Sequence, residues 1–185
     1  MPRTPGQRAG LTHDAVLTAA RTVFAERGLE GLSMRAVAKD LGVAPNALYS
    51  HVADKEALVD ALLDDVLGAL DPPDPDAEPL AGLRGVMLAT FDLLGRHPDL
   101  VPLYLARQGA RGTHAQALGA AMTALLARLG VEQDATGRVV RALIVSTLGF
   151  AALATADDPA LTPAQLRTDL DATLDWLLRG ALPRT

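Results

Sequence analysis

The chain has 185 residues, enough for one ordinary domain or a small one joined to a larger, and 49% of them are hydrophobic but only 3% aromatic. An interior built from Leu, Val and Ala favours helices, and the absence of cysteine excludes disulfides and thiolate metal sites. A net charge of −5 opposes nucleic acid on average, but residues 1–55 carry seven Lys or Arg against five acids (+2) and residues 56–185 carry ten against seventeen (−7), so only the front end suits phosphate.

The N-terminal MPRTPGQRAG lacks the apolar stretch of a signal peptide, which, with a cysteine-free composition, leads us to expect a cytoplasmic protein. A first helix is expected over residues 12–27, with Val16, Ala20, Val23 and Phe24 at helical spacing and Gly28 as its stop. Ser33 then reads as the N-cap of a second helix whose Met34, Val37, Ala38 and Leu41 share one side. Gly42 ends it. In a helix interior this glycine would cost about 1 kcal/mol relative to alanine, and Pro45, which lacks an N–H, sits well only in the first turn of a new helix. The stretch SMRAVAKDLGVAPNALYSHV, residues 33–52, is therefore helix, tight turn, helix. Leu48 and Val52 point inward from its second part, leaving Asn46, Ala47, Tyr49 and Ser50 outside.

Asp54 caps a fourth helix striped by Leu58, Leu62, Val66 and Leu70. It runs into DPPDPDAEP, residues 71–79, whose four prolines exclude regular structure and mark a subdomain boundary. Beyond it, Leu80, Leu83, Met87, Phe91 and Leu94 mark a helix stopped near His97 and Pro98; Leu100, Leu103 and Tyr104 a short one ending by Gly109; and Leu118, Met122, Leu125 and Leu129 another ended by Gly130. Residues 134–155 are apolar on most sides. The weakly polar run 142–156 is shorter than the roughly 18 residues of a membrane span and contains Ser146, Thr147 and Thr155, so it reads as a buried helix with no membrane partner. Leu166, Leu170, Leu174 and Leu177 stripe a last helix. No segment alternates as a strand would, and the expected class is all-α, with about nine helices.

A two-helix corner turning on glycine is a candidate helix-turn-helix, in which one helix braces the phosphate backbone while the next enters the major groove. Shape alone does not separate it from a packed helical hairpin. The residues carry more. LTHDAVLTAARTVFAERGLEGLSMRAVAKDLGVAPNALYSHVADKEALVDAL, residues 11–62, resembles the N-terminal DNA-binding domain of the tetracycline-repressor (TetR) family. The likeness lies in an ordered set: a helix ending in Gly, Gly-Leu-Ser before the next, Leu-Gly-Val at the turn, Leu-Tyr-x-His-Val, then Asp-Lys-x-x-Leu.

The resemblance implies a helix-turn-helix domain over 1–53, a connecting helix over 54–70, the linker 71–79 and a ligand-binding and dimerisation domain over 80–185. It puts Tyr49, His51 and Lys55 at phosphate-contacting positions, Ser33 and Arg35 at the start of the second helix beside phosphate, and Pro45, Asn46, Ala47 and Ser50 at variable base-reading positions. Asn46 is the main candidate for reading a base, and Arg3 and Arg8 lie in an arm of the kind that enters a minor groove. The implied partners are a double-stranded DNA operator, a second copy of the chain and a small-molecule inducer. The implied action is repression.

A single corner reads few base pairs, whereas two recognition helices about 34–36 Å apart read successive major-groove faces of a palindrome. The last two long helices are the natural homodimer interface: Gly149 and the alanines 151, 152 and 154 permit close approach, and Leu148, Ala152, Leu170, Leu174 and Leu177 supply apolar area. An internal core is the competing use of the same leucines. The helices between 79 and 155 would enclose the inducer, with Tyr104, Arg107, Gln108, Arg111, His114, Arg138, Arg141, Thr147 and Phe150 as polar or aromatic candidates on aliphatic helices, and a guanidinium there suits an acidic or carbonyl-bearing ligand.

Catalysis finds little support. The histidines at 13, 51, 97 and 114 form no paired motif, no phosphate loop or nucleophile elbow occurs, and no catalytic residue, metal ligand or cofactor is expected. Control by a protein partner instead of a small molecule remains the alternative, followed by a helical small-molecule binder or enzyme without DNA function.

Overall fold

A computed structural model describes residues 11–107, 109–156 and 160–182; Arg3, Arg8 and Gln108 lie outside them. Among the described residues there is no strand, and the elements are eight α-helices and two 3-10 helices. They are α1 (His13–Gly31), α2 (Met34–Asp40), a 3-10 helix (Pro45–Ser50), α3 (Lys55–Leu67), α4 (Pro79–Gly95), a 3-10 turn (Pro98–Leu100) that runs straight into α5 (Val101–Arg107), α6 (Thr113–Arg128), α7 (Gln133–Ala154) and α8 (Pro163–Ala181). Internal contacts divide the chain into two units, one ending at Leu62 and one beginning at Leu63.

The first unit is built by its caps and stops. The Thr12 hydroxyl accepts from the Ala15 amide at 3.1 Å and starts α1. Gly28 interrupts the helix at φ +64, a left-handed conformation that disfavours any residue with a Cβ. Ser33 caps α2 by accepting from the Ala36 amide at 3.2 Å, and Gly42, at φ +66, makes the turn after it. Val16, Ala20, Val23 and Phe24 from α1 meet Leu32, Met34, Val37 and Ala38, with Leu48, Val52, Leu58 and Leu62 completing a small aliphatic core. Burying a side chain of this size stabilises by about 1.5–3 kcal/mol, so the unit depends on a dozen residues.

In the second unit α4 lies against α6, α7 and α8, and α7 pairs with α8. Glu78 caps α4 with both carboxylate oxygens, accepting from the Leu80 and Ala81 amides, and Pro79 occupies the first turn. Arg84 of α4 makes a two-pronged ion pair with Asp171 of α8, at 2.6 to 2.9 Å, and Arg167 of α8 reaches Asp92 of α4 at 2.9 Å. The irregular segment is 71–78, one residue shorter than the expected linker because Pro79 already belongs to α4, and it is pinned: Arg128 of α6 donates to the carbonyls of Pro75 and Ala77.

Two expectations for this unit are corrected. Leu170 and Leu174 are fully buried, and Leu148 nearly so, inside the single chain, so they belong to its own core and offer no free area to a second copy. Ala152 and Leu177 are only half-buried. The last helix turns its leucine stripe, which also includes Leu166 and Leu178, toward its own unit because that is where α4 and α7 leave an apolar seam. Conversely, α7 was expected to be buried, yet only 22% of its most apolar stretch is. By length and composition α7 is apolar enough to cross a membrane. Its open side displays Val145, 61% exposed, and Leu153, while Trp176 of α8 is 71% exposed. Helical periodicity places the apolar positions but does not say which of two faces the rest of the chain will cover.

Candidate nucleic-acid interface and effector cavity

The corner of the first unit holds a short element firmly and leaves its outer side bare. Val43 closes the turn by donating to the Ala38 carbonyl at 3.0 Å, and Pro45 opens the 3-10 helix with the φ it prefers. Leu48 is its anchor, fully buried, and the amides of His51 and Val52 both donate to the Leu48 carbonyl. Around that anchor Pro45, Asn46, Ala47, Tyr49 and Ser50 all face outward. Tyr49, 55% exposed, places a ring and a hydroxyl on the surface without a packing role that requires them there.

Neighbouring candidates are distributed around this face in different states. Arg35 is exposed on α2, whereas Ser33 is half-buried with its hydroxyl engaged as the helix cap. His51 is half-buried at the end of the 3-10 helix. The Ser50 hydroxyl donates to the Ala47 carbonyl at 2.9 Å, which leaves its oxygen free to accept but not to donate. Lys55 begins α3 and its ammonium donates to the Leu29 carbonyl at 2.9 Å, so it is held near the end of α1 with two further donors to offer.

The second unit contains a cavity of about 130 Å³. Its walls are aliphatic, with Leu67, Met87, Leu118, Met122 and Ile144 among them, and only three hydroxyls, those of Thr90, Tyr104 and Thr147. Each hydroxyl donates to a main-chain carbonyl: Thr90 to Val86 at 2.7 Å, Tyr104 to Leu63 at 2.6 Å, Thr147 to Leu143 at 2.9 Å. Burial, reinforced by the Asp64 carboxylate, pushes the Tyr104 phenol well above its ordinary range and keeps it a neutral donor.

Of the ligand-contacting residues expected from sequence, Tyr104 and Thr147 line this cavity. The charged ones do not. Arg107 is half-buried at the end of α5, Arg111 is exposed, Arg138 pairs with Asp134 at 3.6 Å on the surface of α7, and Phe150 is half-buried elsewhere on α7. Arg141 lies exposed beside Leu105 and Val145 in a separate groove. With no charged side chain among the described lining residues, the expected acidic ligand loses its basis: long cationic side chains on these helices reach water more cheaply than they enter an aliphatic cavity.

His114 has a different task. Its Nδ1 lies 3.2 Å from Oδ2 of Asp64, a nearly buried carboxylate on α3, and Asp64 also accepts from the amides of His114 at 3.1 Å and Ala115 at 2.9 Å. Asp64 thus caps α6 from another helix, replacing the side-chain cap that Gly112 lacks. A Cβ at Gly112 would fall 2.2 Å from the Asp64 carboxyl carbon, so glycine is required there. Sequence reasoning missed this pair, because the amides that Asp64 caps lie 50 and 51 positions along the chain. Among the described residues no group of three His, Asp or Glu is placed to hold a metal.

The family model for bacterial regulatory proteins of the tetR family matches residues 16–62, the segment that builds this corner. That segment is similar to the tetR family. Over 109 residues it is 36% identical to the HTH-type transcriptional repressor KstR2 of Mycobacterium tuberculosis, covering 56% of this chain and 54% of the repressor. The chain thus spans about half the length of these curated relatives. Its fold is that of Mycobacterium smegmatis BioQ, with a TM-score of 0.78 at 24% identity over 92% of this chain and 98% of BioQ. BioQ has also been solved with its double-stranded DNA operator, and that structure matches with a TM-score of 0.70 at 25% identity, over 91% and 99% of the two chains. The TetR variant Q116A of Acinetobacter baumannii, solved with minocycline, matches with a TM-score of 0.76 at 24% identity, over 92% and 96%. The proteins matched are described as regulators of transcription.

Proposed function

We propose that this chain is a cytoplasmic transcriptional repressor that binds a palindromic DNA operator as a homodimer and is released by a small molecule. The observation that carries the reading is the 3-10 helix Pro45–Ser50, held by one buried leucine and bare on the other side, inside a segment that matches the tetR family. Tyr49, His51, Lys55 and Arg35 contact the phosphate backbone and fix the register, while Asn46, Ala47, Ser50 and Pro45 face base edges. Asn46, with an acceptor and two donors, pairs with adenine.

Dimerisation supplies the second half-site, and the open side of α7 with Trp176 of α8 supplies the interface. An apolar helix that its own chain covers only in part calls for a further cover, and a second copy placing the same two helices against it makes a four-helix bundle. Trp176, Val145 and Leu153 then take the role first expected of Leu170 and Leu174. The bound DNA of BioQ and the bound minocycline of the TetR variant are consistent with a DNA partner and an effector for this chain. An effector that prefers the DNA-incompetent state shifts the population toward it, and a coupling of about 1–3 kcal/mol suffices.

The test is selection of genomic fragments by the purified protein at fixed, stated salt, because phosphate contacts make affinity salt-dependent. Enrichment of one palindromic site is expected. Uniform recovery of all fragments by ligand-free protein contradicts the reading.

A further inference from the structure

The cavity in the second unit has no charged side chain in its described wall, and its three hydroxyls have committed their protons, keeping only acceptor lone pairs. Among the described residues no buried side-chain nitrogen or oxygen lacks a partner, and the three hydroxyls in the wall are already bonded to main-chain carbonyls. A carboxylate or ammonium entering there would lose its water and gain no counter-charge, whereas a hydrocarbon group loses nothing. Apolar cavities of about 150 Å³ hold a benzene ring, and this one, at about 130 Å³, is of that size.

Gly119 adds a second, independent observation. It lies in the middle of α6, where glycine is disfavoured relative to alanine, and it lines the cavity. Its backbone does not need glycine, since it is not among the positive-φ residues, and a Cβ built on it meets no atom within 4 Å. What glycine provides at this position is the space a side chain would take.

We propose that the cavity admits only an uncharged, mainly hydrocarbon group about the size of a substituted benzene ring, and that Gly119 sets its size limit. This deepens the reading of the cavity as the effector site and rests on it for its biological role. A ring or short alkyl portion of the effector occupies the space, and any uncharged polar portion stays at the mouth. Selectivity comes from exclusion of charge, with no side chain recognising a specific polar group.

The experiment uses the full chain and titrates toluene, benzylamine and benzoate by calorimetry into the wild type, Gly119→Ala and Gly119→Leu, with thermal melting to confirm that each is folded. Toluene binding at least tenfold tighter than either ion, several-fold weaker in Gly119→Ala and absent in Gly119→Leu, is the expected result. Gly119→Ala keeps the test open if the larger variant does not fold, because alanine favours the helix and clashes with nothing. Equal binding of the three probes, or no binding of toluene to the wild type, overturns the selectivity; unchanged toluene affinity in the folded variants overturns the role of Gly119. Operator affinity is measured in parallel. Toluene bound with the expected selectivity but without effect on operator affinity supports the cavity chemistry and removes only its role as effector site.

Discussion

The two units of this chain carry their distinctive residues in opposite places. In the first, a small core exists to hold an outer face: Leu48 is buried so that Asn46, Tyr49 and Ser50 are not. In the second, helices of ordinary amphipathicity surround a space, and what distinguishes the unit is the volume that Gly119 and the aliphatic wall leave unfilled. A surface that reads a polymer is made by projecting polar groups from a rigid turn, whereas a cavity for a small molecule is made by withholding side chains. The first device leaves a motif. The second leaves almost none.

The sharpest way to break this contrast is to remove the anchor of the projecting face. Leu48→Ala creates a cavity in a core of a dozen residues, with an expected loss of about 2–5 kcal/mol. Circular dichroism is expected to show the first unit melting early, with operator binding lost and toluene binding in the second unit retained. Loss of both together would mean the units do not fold as separate bodies.

A second substitution addresses the uncovered helix pair. Trp176→Arg places a charge where the account puts the centre of a dimer interface, and it leaves the monomer core untouched because Trp176 is largely exposed. Sedimentation is expected to show dimer affinity reduced by at least about a hundredfold, equivalent to about 2.7 kcal/mol, with the melting of dilute monomer unchanged. The corresponding change at Leu174, which is fully buried, is expected to unfold the protein instead.

How much of this was legible follows from the same contrast. Starts and stops were readable because they are local: Ser33 caps three residues on, Asp54 accepts from the Ala57 amide, and Gly28 and Gly42 take positive φ where the helical pattern ends. The exposed set at 46, 47, 49 and 50 followed from one buried leucine and the helical period. The assignment of α8 failed because a leucine stripe reports an apolar side without reporting its cover, and Trp176 stands alone on the opposite side with no stripe to announce it. The charged candidates Arg107, Arg111 and Arg141 were chosen as polar residues on aliphatic helices, but a long side chain leaves the cavity wall for water. Asp64 could not be read at all, since the amides it caps lie 50 and 51 positions away.

That cap gives the third test. Asp64→Ala removes three interactions at the start of α6 and is expected to destabilise the second unit by about 1–2 kcal/mol; Gly112→Ala is expected to do at least as much, by driving a Cβ into the carboxylate. Differential melting of the two units checks both. A loss confined to the first unit would contradict the assignment.

The smallest expected effect concerns Tyr104. Its phenol is raised above the ordinary 10.0 by burial, so its contribution is fully present below pH 10 and is lost as the pH climbs toward the folded-state value. Alkaline unfolding should steepen above pH 10 in the wild type and less so in Tyr104→Phe, which at neutral pH gives up one hydrogen bond worth about 0.5–1.5 kcal/mol. Identical alkaline profiles for the two proteins would remove Tyr104 from the core of the second unit.

The central claim is that the exposed side of the Pro45–Ser50 helix reads DNA, and the most direct measurement is the operator affinity of Tyr49→Ala and Asn46→Ala at two salt concentrations. Both residues are exposed, so neither change should alter stability by more than about 0.5 kcal/mol. The account predicts that Tyr49→Ala weakens binding about equally on every sequence, while Asn46→Ala costs about 1–3 kcal/mol on the preferred site and relaxes the choice of one base pair. Two folded variants that bind the operator as tightly and as selectively as the wild type would contradict it.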